Sequence, residues 1–262
     1  MMGLLDGKVG LVTGIANDRS YAWHIAKALR EHGATCGYTH LPGEKNERRT
    51  GRAVESLGES DPWLHGMDAF QDADIDAALE AYASRFGRMD FLIHSIAYAE
   101  RDWLQIGSFT DTPREAYLQA IDVSAYTLLG MTRAARPLMV DSGGGSILGM
   151  SYYGAEKVVP GYNVMGVAKA ALECTARYLA SELGEQGIRV NTISGGYLRT
   201  LAVTAVAGAD RIAEHAASRS PLKRGVDGSD VGKTAVYLVS DLSSGVTGET
   251  VYVDCGVNTI GV

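Results

Sequence analysis

Three observations predict an α/β fold carrying one doubly wound parallel sheet of about seven strands. Short β-rich runs alternate with helical patterns along the whole 262-residue chain. No Pro/Ser-rich linker or charge block interrupts that alternation, and no internal repeat divides it. With apolar residues at 46% and charged residues at 21%, the chain can bury a sizeable core. The expected organisation is a single domain over residues 1–262.

The elements follow in order. Residues 8–13 form the first strand, followed by a first helix at 21–32. A second strand at 35–39 leads to a charged helix at 47–57. A third strand at 63–67 precedes a helix at 73–86, and a fourth, with the apolar run Phe91-Leu92-Ile93, covers 89–94. The long helical stretch 113–139 is expected to be broken once. Ser142-Gly143-Gly144-Gly145 is a turn entering the fifth strand, 146–150. The strongest helical segment follows Tyr162, with 163–183 in helix. A sixth strand at 189–193, a helix at 231–240 and a seventh strand at 251–253 complete the set. Alternation of this kind requires right-handed crossovers and a sheet covered on both faces.

Composition narrows the function. The 24 Lys and Arg against 31 Asp and Glu give a net charge of −7, which argues against a nucleic-acid surface. The first ten residues are too few and too polar for a secretory leader, and no run of 18 apolar residues occurs. A cytoplasmic protein without a membrane segment is therefore expected. Cys36, Cys174 and Cys255 are isolated, so neither a disulfide framework nor a metal site is indicated, and all three are expected to be buried thiols. His94, within an apolar strand, is expected to be a core residue, with no metal role.

Two regions carry chemistry. Between the first strand and helix, Thr13-Gly14-Ile15-Ala16-Asn17-Asp18-Arg19-Ser20-Tyr21 can aim backbone N–H groups and a helix N-terminus at a pyrophosphate. Only Gly14 remains of a three-glycine fingerprint, so Ser20 is either a phosphate donor or a helix cap. After the second strand, Tyr38-Thr39-His40-Leu41 offers no acid for a ribose hydroxyl before Glu44, while Lys45, Arg48 and Arg49 lie just beyond. NADH and NADPH are thus both open. Asp68 suits an adenine amino group or a turn. The second region is Tyr162-Asn163-Val164-Met165-Gly166-Val167-Ala168-Lys169. Seven helical steps of roughly 100° would bring Tyr162 and Lys169 to one helix face, about 10 Å apart along the axis. A phenol and an ammonium so aligned can act together on a sugar hydroxyl and a nascent oxyanion.

Together these segments resemble the short-chain dehydrogenase/reductase superfamily, and within it the divergent branch of NADH-dependent enoyl-acyl-carrier-protein reductases. Further carriers of the resemblance are His94-Ser95-Ile96-Ala97, Ser151-Tyr152-Tyr153-Gly154-Ala155-Glu156, Arg189-Val190-Asn191, Arg199-Thr200-Leu201-Ala202 and Val246-Thr247-Gly248-Glu249. Ordinary superfamily members place Tyr and Lys four apart, with a catalytic Ser thirteen residues before the Tyr, where this chain has Gly149. The resemblance implies a Rossmann-like sheet and reduction of a trans-2-enoyl thioester on acyl carrier protein. Tyr162 would bond the thioester oxygen, Tyr152 would be a second active-site tyrosine, and Lys169 would hold the nicotinamide ribose. Gly14, Ser20, Tyr21, Asp68, Ser95, Ile96, Ala97, Leu198 and Thr200 would contact the dinucleotide. Ala99, Leu201 and Ala202 would meet the substrate, with residues 200–220 as a covering lid. A homotetramer is also implied. The chain departs from the family at Gly195-Gly196-Tyr197, where a Pro usually follows the glycine, so Tyr197 adds bulk beside the expected carboxamide site. The competing readings are a carbonyl/alcohol oxidoreductase on the same fold and a non-catalytic dinucleotide sensor.

Overall fold

The computed structural model describes residues 3–198, 200, 214 and 217–261. Seven strands form one all-parallel sheet: β1 (Val9–Val12), β2 (Thr35–His40), β3 (Leu64–Gly66), β4 (Phe91–His94), β5 (Gly145–Ser151), β6 (Ile188–Gly195) and β7 (Thr250–Val253). Their order is β3-β2-β1-β4-β5-β6-β7. The chain builds outward from β1 to β3 and then returns to the other side of β1, so the order reverses between β1 and β4. That crevice, at the carboxyl ends of the strands, is where open α/β sheets bind ligands.

Helices cover both faces because successive strand residues point to opposite sides. Val12, Phe91, Ile93, Leu148 and Ile193 pack with α1 (Tyr21–Glu31) and the helix Gly228–Val239, here α7, through Ile25, Leu29, Val231 and Val236. Leu11, Leu92, Ile147 and Val190 face the other way. They meet α3 (Asp72–Phe86), α5 (Thr127–Asp141) and α6 (Val164–Leu183) through Ile75, Leu128, Met131 and Leu172. Each fully buried Leu or Ile in these layers stabilises the fold by roughly 2 kcal/mol. α2 (Glu44–Glu55) flanks β2 and β3 and carries Lys45, Arg48 and Arg49 on its exposed side.

The stretch expected to break once does not break. α4 (Arg114–Ile121) runs into α5 through a π-helical segment, Asp122–Tyr126, and the helix continues to Asp141. The inserted residue widens one turn without releasing the backbone ladder. Among the described residues, no helix is long and apolar enough to cross a membrane.

Candidate active site

The crevice is closed at its base by backbone. Gly14 has φ +87°, and a Cβ there would lie 2.0 Å from the Ser95 carbonyl oxygen. Only glycine lets the loop after β1 touch the loop after β4 so closely. Thr13 stitches the same two loops, its hydroxyl donating to Ile93 O at 2.9 Å and accepting from Ser95 N at 3.3 Å. From α2, the Thr50 hydroxyl donates to Ile15 O at 2.8 Å and holds the β1 loop from outside. A close backbone contact of this kind at a sheet's switch point suits a dinucleotide's pyrophosphate.

At the α1 end of this loop Ser20 makes a helix cap: its hydroxyl accepts from Trp23 N at 3.3 Å and donates to Asn17 O at 2.8 Å. Tyr21, the first residue of α1, donates its hydroxyl to Gly196 O, with Gly195 against its ring. Asp68 closes a turn by accepting from Phe70 N at 3.0 Å. Ile96 packs against the α3/α5/α6 core, Ala97 is exposed, and Thr200 is buried, its N–H donating to Leu198 O at 2.7 Å. Leu201 and Ala202, with most of the expected lid, lie outside the described residues.

The tyrosine pair is assembled differently from the expectation. Tyr162 is not on the helix that carries Lys169. It lies in the turn before α6, and Asn163, at φ +43°, stands outside helical geometry between them. A non-glycine residue with positive φ is strained. The Asn163 side chain compensates: its Nδ2 reaches Trp103 O at 2.9 Å, Gln105 O at 2.7 Å and Ser108 Oγ at 3.2 Å. Tyr162 is therefore placed by packing, and the helical step between it and Lys169 plays no part. Its ring meets Tyr152 edge to face at 4.8 Å between centroids. A Cβ on Gly154 would sit 2.5 Å from the Tyr162 ring, so that glycine makes the seat. Beside it, Ala99, Leu104, Val164 and Met165 form a small apolar cluster.

Electrostatics define what these groups can do. Burial, then neighbouring Tyr152, pushes the Tyr162 phenol well above the ordinary tyrosine range, so it stays protonated at neutral pH and is a donor. Tyr152 is pushed up to about 12 by burial and then by Tyr197, which places Tyr197 within electrostatic reach of the pair. Lys169 is 5% exposed, and burial lowers it to about 8, with Glu173 acting in the opposite direction. Among the described residues, its ammonium donates to one acceptor, Met150 O at 2.7 Å. A buried cation with two further donors at the sheet edge fits the hydroxyls of a ribose.

Some expectations change elsewhere. Cys36 and Cys255 are buried, but Cys174 is exposed, on the side of α6 turned away from the core with Arg177 and Tyr178. His94 is a core residue: it is fully buried, its Nε2 meets Thr127 Oγ1 at 2.7 Å, and burial lowers its pKa to about 3. Among the described residues, no group of three or more His, Cys, Asp or Glu is placed to hold a metal. Ser124 carries no signal in the sequence. The π-helical segment turns its hydroxyl toward the loop after β4, where it accepts from Tyr98 N at 3.1 Å and supports Ile96 and Ala97.

Comparison with known proteins bears on this geometry. Residues 14–258 match the family model for enoyl-(acyl carrier protein) reductase. An NADH enoyl-acyl-carrier-protein reductase of Synechocystis sp. is 47% identical, with 98% of this chain and 99% of the relative covered. The corresponding enzyme of Rickettsia typhi is 45% identical over 98% of this chain and 97% of its own. Among solved structures, the Bacillus cereus enoyl-acyl carrier protein reductase with NADP+ and indole naphthyridinone superposes with a TM-score of 0.95 at 42% identity, both chains fully covered. The Anaplasma phagocytophilum enzyme in complex with NAD gives 0.94 at 43% identity, covering 100% of this chain and 98% of its own. With the tyrosine pair, the buried lysine and the glycine-floored crevice on one sheet edge, the chain belongs to the enoyl-(acyl carrier protein) reductase family.

Proposed function

We propose that this protein reduces the carbon–carbon double bond of trans-2-enoyl thioesters carried on acyl carrier protein, using NADH, in fatty acid synthesis. The observation that carries the reading is the Tyr152–Tyr162 pair on the sheet edge that also holds the Lys169 ammonium. Bound NADH would supply the hydride for the substrate's β-carbon, leaving negative charge on the thioester oxygen. Tyr162, kept protonated by burial, donates a hydrogen bond to that oxygen. An oriented donor of this kind lowers the barrier by ~3 kcal/mol. Lys169 holds the ribose and adds positive potential, while Tyr152 fixes the Tyr162 ring and walls the substrate. Gly14, Ser95, Ile96, Ala97, Leu198 and Thr200 line the dinucleotide, with Asp68 at its adenine end and Ser20 and Tyr21 shaping the loop that holds the pyrophosphate. Ala99 belongs to the acyl pocket, with Leu201 and Ala202 on the covering segment 200–220 of a single domain.

The carbonyl/alcohol alternative needs a hydroxyl where this chain has Gly149, and that position is packed against Thr192 and Leu172. Exposed Leu118, Tyr126 and Leu129 near the α4–α5 junction support self-association as a homotetramer. A cytoplasmic location, away from membrane and nucleic acid, completes the proposal. Purified protein with NADH and a crotonyl thioester should consume NADH in proportion to saturated product. Tyr162→Phe should slow turnover about a hundredfold, as expected for loss of an oxyanion donor. Absence of turnover on short and long acyl chains would defeat the proposal.

A further inference from the structure

Glu173 is a buried carboxylate next to this machinery with no part in the steps above. It accepts a 2.5 Å hydrogen bond from the Ser151 hydroxyl, at the last residue of β5. Four residues earlier on the same face of α6, the Lys169 ammonium donates to the carbonyl of Met150. Two side chains one helical turn apart thus grip two consecutive residues of β5. The next residue is Tyr152, whose ring packs on Tyr162, and Tyr162 leads through Asn163 back into α6. The contacts close a ring. A carboxylate is a costly way to join a helix to a strand, because burying it carries a desolvation penalty of several kcal/mol that an apolar pair would avoid.

We propose that Glu173 is a positioning residue of the active site: through Ser151 it fixes the β5 end that carries Tyr152, and from one helical turn away on α6 it acts on the Lys169 ammonium that would hold the ribose. This rests on the functional reading above. The groups facing Glu173 are Lys169 and Arg177 on its own helix, Ser151 on β5, Glu156 in the turn after β5 and Tyr252 on β7. Those facing Lys169 are Glu173 and, from β4, His94. Among the described residues, Glu173 is the carboxylate acting on Lys169 and favours the ammonium, whereas burial opposes it and also pushes the Glu173 carboxyl above its ordinary value.

The test compares NADH dissociation constants, by cofactor fluorescence across alkaline pH, for wild type, Glu173→Gln, Glu173→Asp and Ser151→Ala, with kcat and KM on a crotonyl thioester beside them. Glu173→Gln keeps the shape and removes the charge. It should weaken NADH binding about tenfold above pH 8 and move the alkaline limb of binding down by about one pH unit. Glu173→Asp should return the limb to the wild-type position. Ser151→Ala retains the charge, so its limb should stay while kcat falls as Tyr152 loosens. A Glu173→Gln protein that melts lower yet binds NADH with the wild-type constant and limb overturns the proposal. If Glu173→Gln does not fold, Ser151→Ala decides: wild-type kcat and KM overturn the proposal and a lowered kcat supports it. Failure of wild type to turn over would strike the functional reading instead, while the binding arm still decides the role of Glu173.

Discussion

Replacing Lys169 by Met should leave the fold as stable as before, or more so, while removing cofactor binding. Burial lowers the lysine from its ordinary 10.5 to about 8. At about 1.4 kcal/mol for each pKa unit, keeping it charged at pH 7 costs the folded state roughly 3 kcal/mol. Methionine fills the stem's volume without the charge but leaves Met150 O without its donor, a loss of about 1–2 kcal/mol. The net change at pH 7 is therefore about 1–2 kcal/mol of stabilisation. Its pH dependence is the sharper signature. A group whose folded pKa is depressed binds fewer protons folded than unfolded between about pH 8 and 10.5. Wild-type stability consequently rises relative to the variant across that window, and the full penalty stands below it. Urea denaturation of both proteins at neutral pH and near pH 10 measures the difference, in which other titrations cancel. A variant destabilised by more than about 2 kcal/mol at neutral pH, or a difference that does not change with pH, would refute the burial argument.

Other expectations follow from single contacts. Gly154→Ala drives a methyl into the Tyr162 ring at 2.5 Å, so kcat should fall at least tenfold while circular dichroism stays native; wild-type kinetics would show that the ring has another seat. His94, held neutral with a pKa near 3, should make the protein acid-sensitive. Its contribution is present above about pH 6.5 and is lost as pH falls toward 3, by roughly 5 kcal/mol in all. His94→Leu should flatten that part of the stability profile, and an unchanged slope would assign the acid sensitivity elsewhere. Cys174, exposed, should react with a thiol reagent in the native protein while Cys36 and Cys255 do not; equal labelling of all three would contradict their burial.

The sheet was legible in the sequence because each strand announces itself locally: Phe91-Leu92-Ile93 and Ile147-Leu148 are buried on both faces, and the helices between them follow their apolar period. The spacing of a resembled motif singled out Tyr152, Tyr162 and Lys169 in the sequence without saying how the two rings pack or where the lysine donates. That part was lost because it depends on long-range geometry. The helical step from Tyr162 to Lys169 fails at Asn163, whose positive φ is stabilised by carbonyls some sixty positions earlier, at Trp103 and Gln105. Cys174 falls among small residues on α6, where its face is set by tertiary packing. Ser124 depends on a π turn, and Glu173 on a partner twenty-two positions before it, Ser151.

The most direct measurement is the position of label in the product formed from NADH deuterated at nicotinamide C4 and an enoyl thioester on acyl carrier protein. Mass spectrometry should find a saturated acyl chain carrying one deuterium on the β-carbon, and Tyr162→Phe should form the same product more slowly. Deuterium on a carbinol carbon, with the double bond retained, would contradict the assignment of hydride transfer to the alkene.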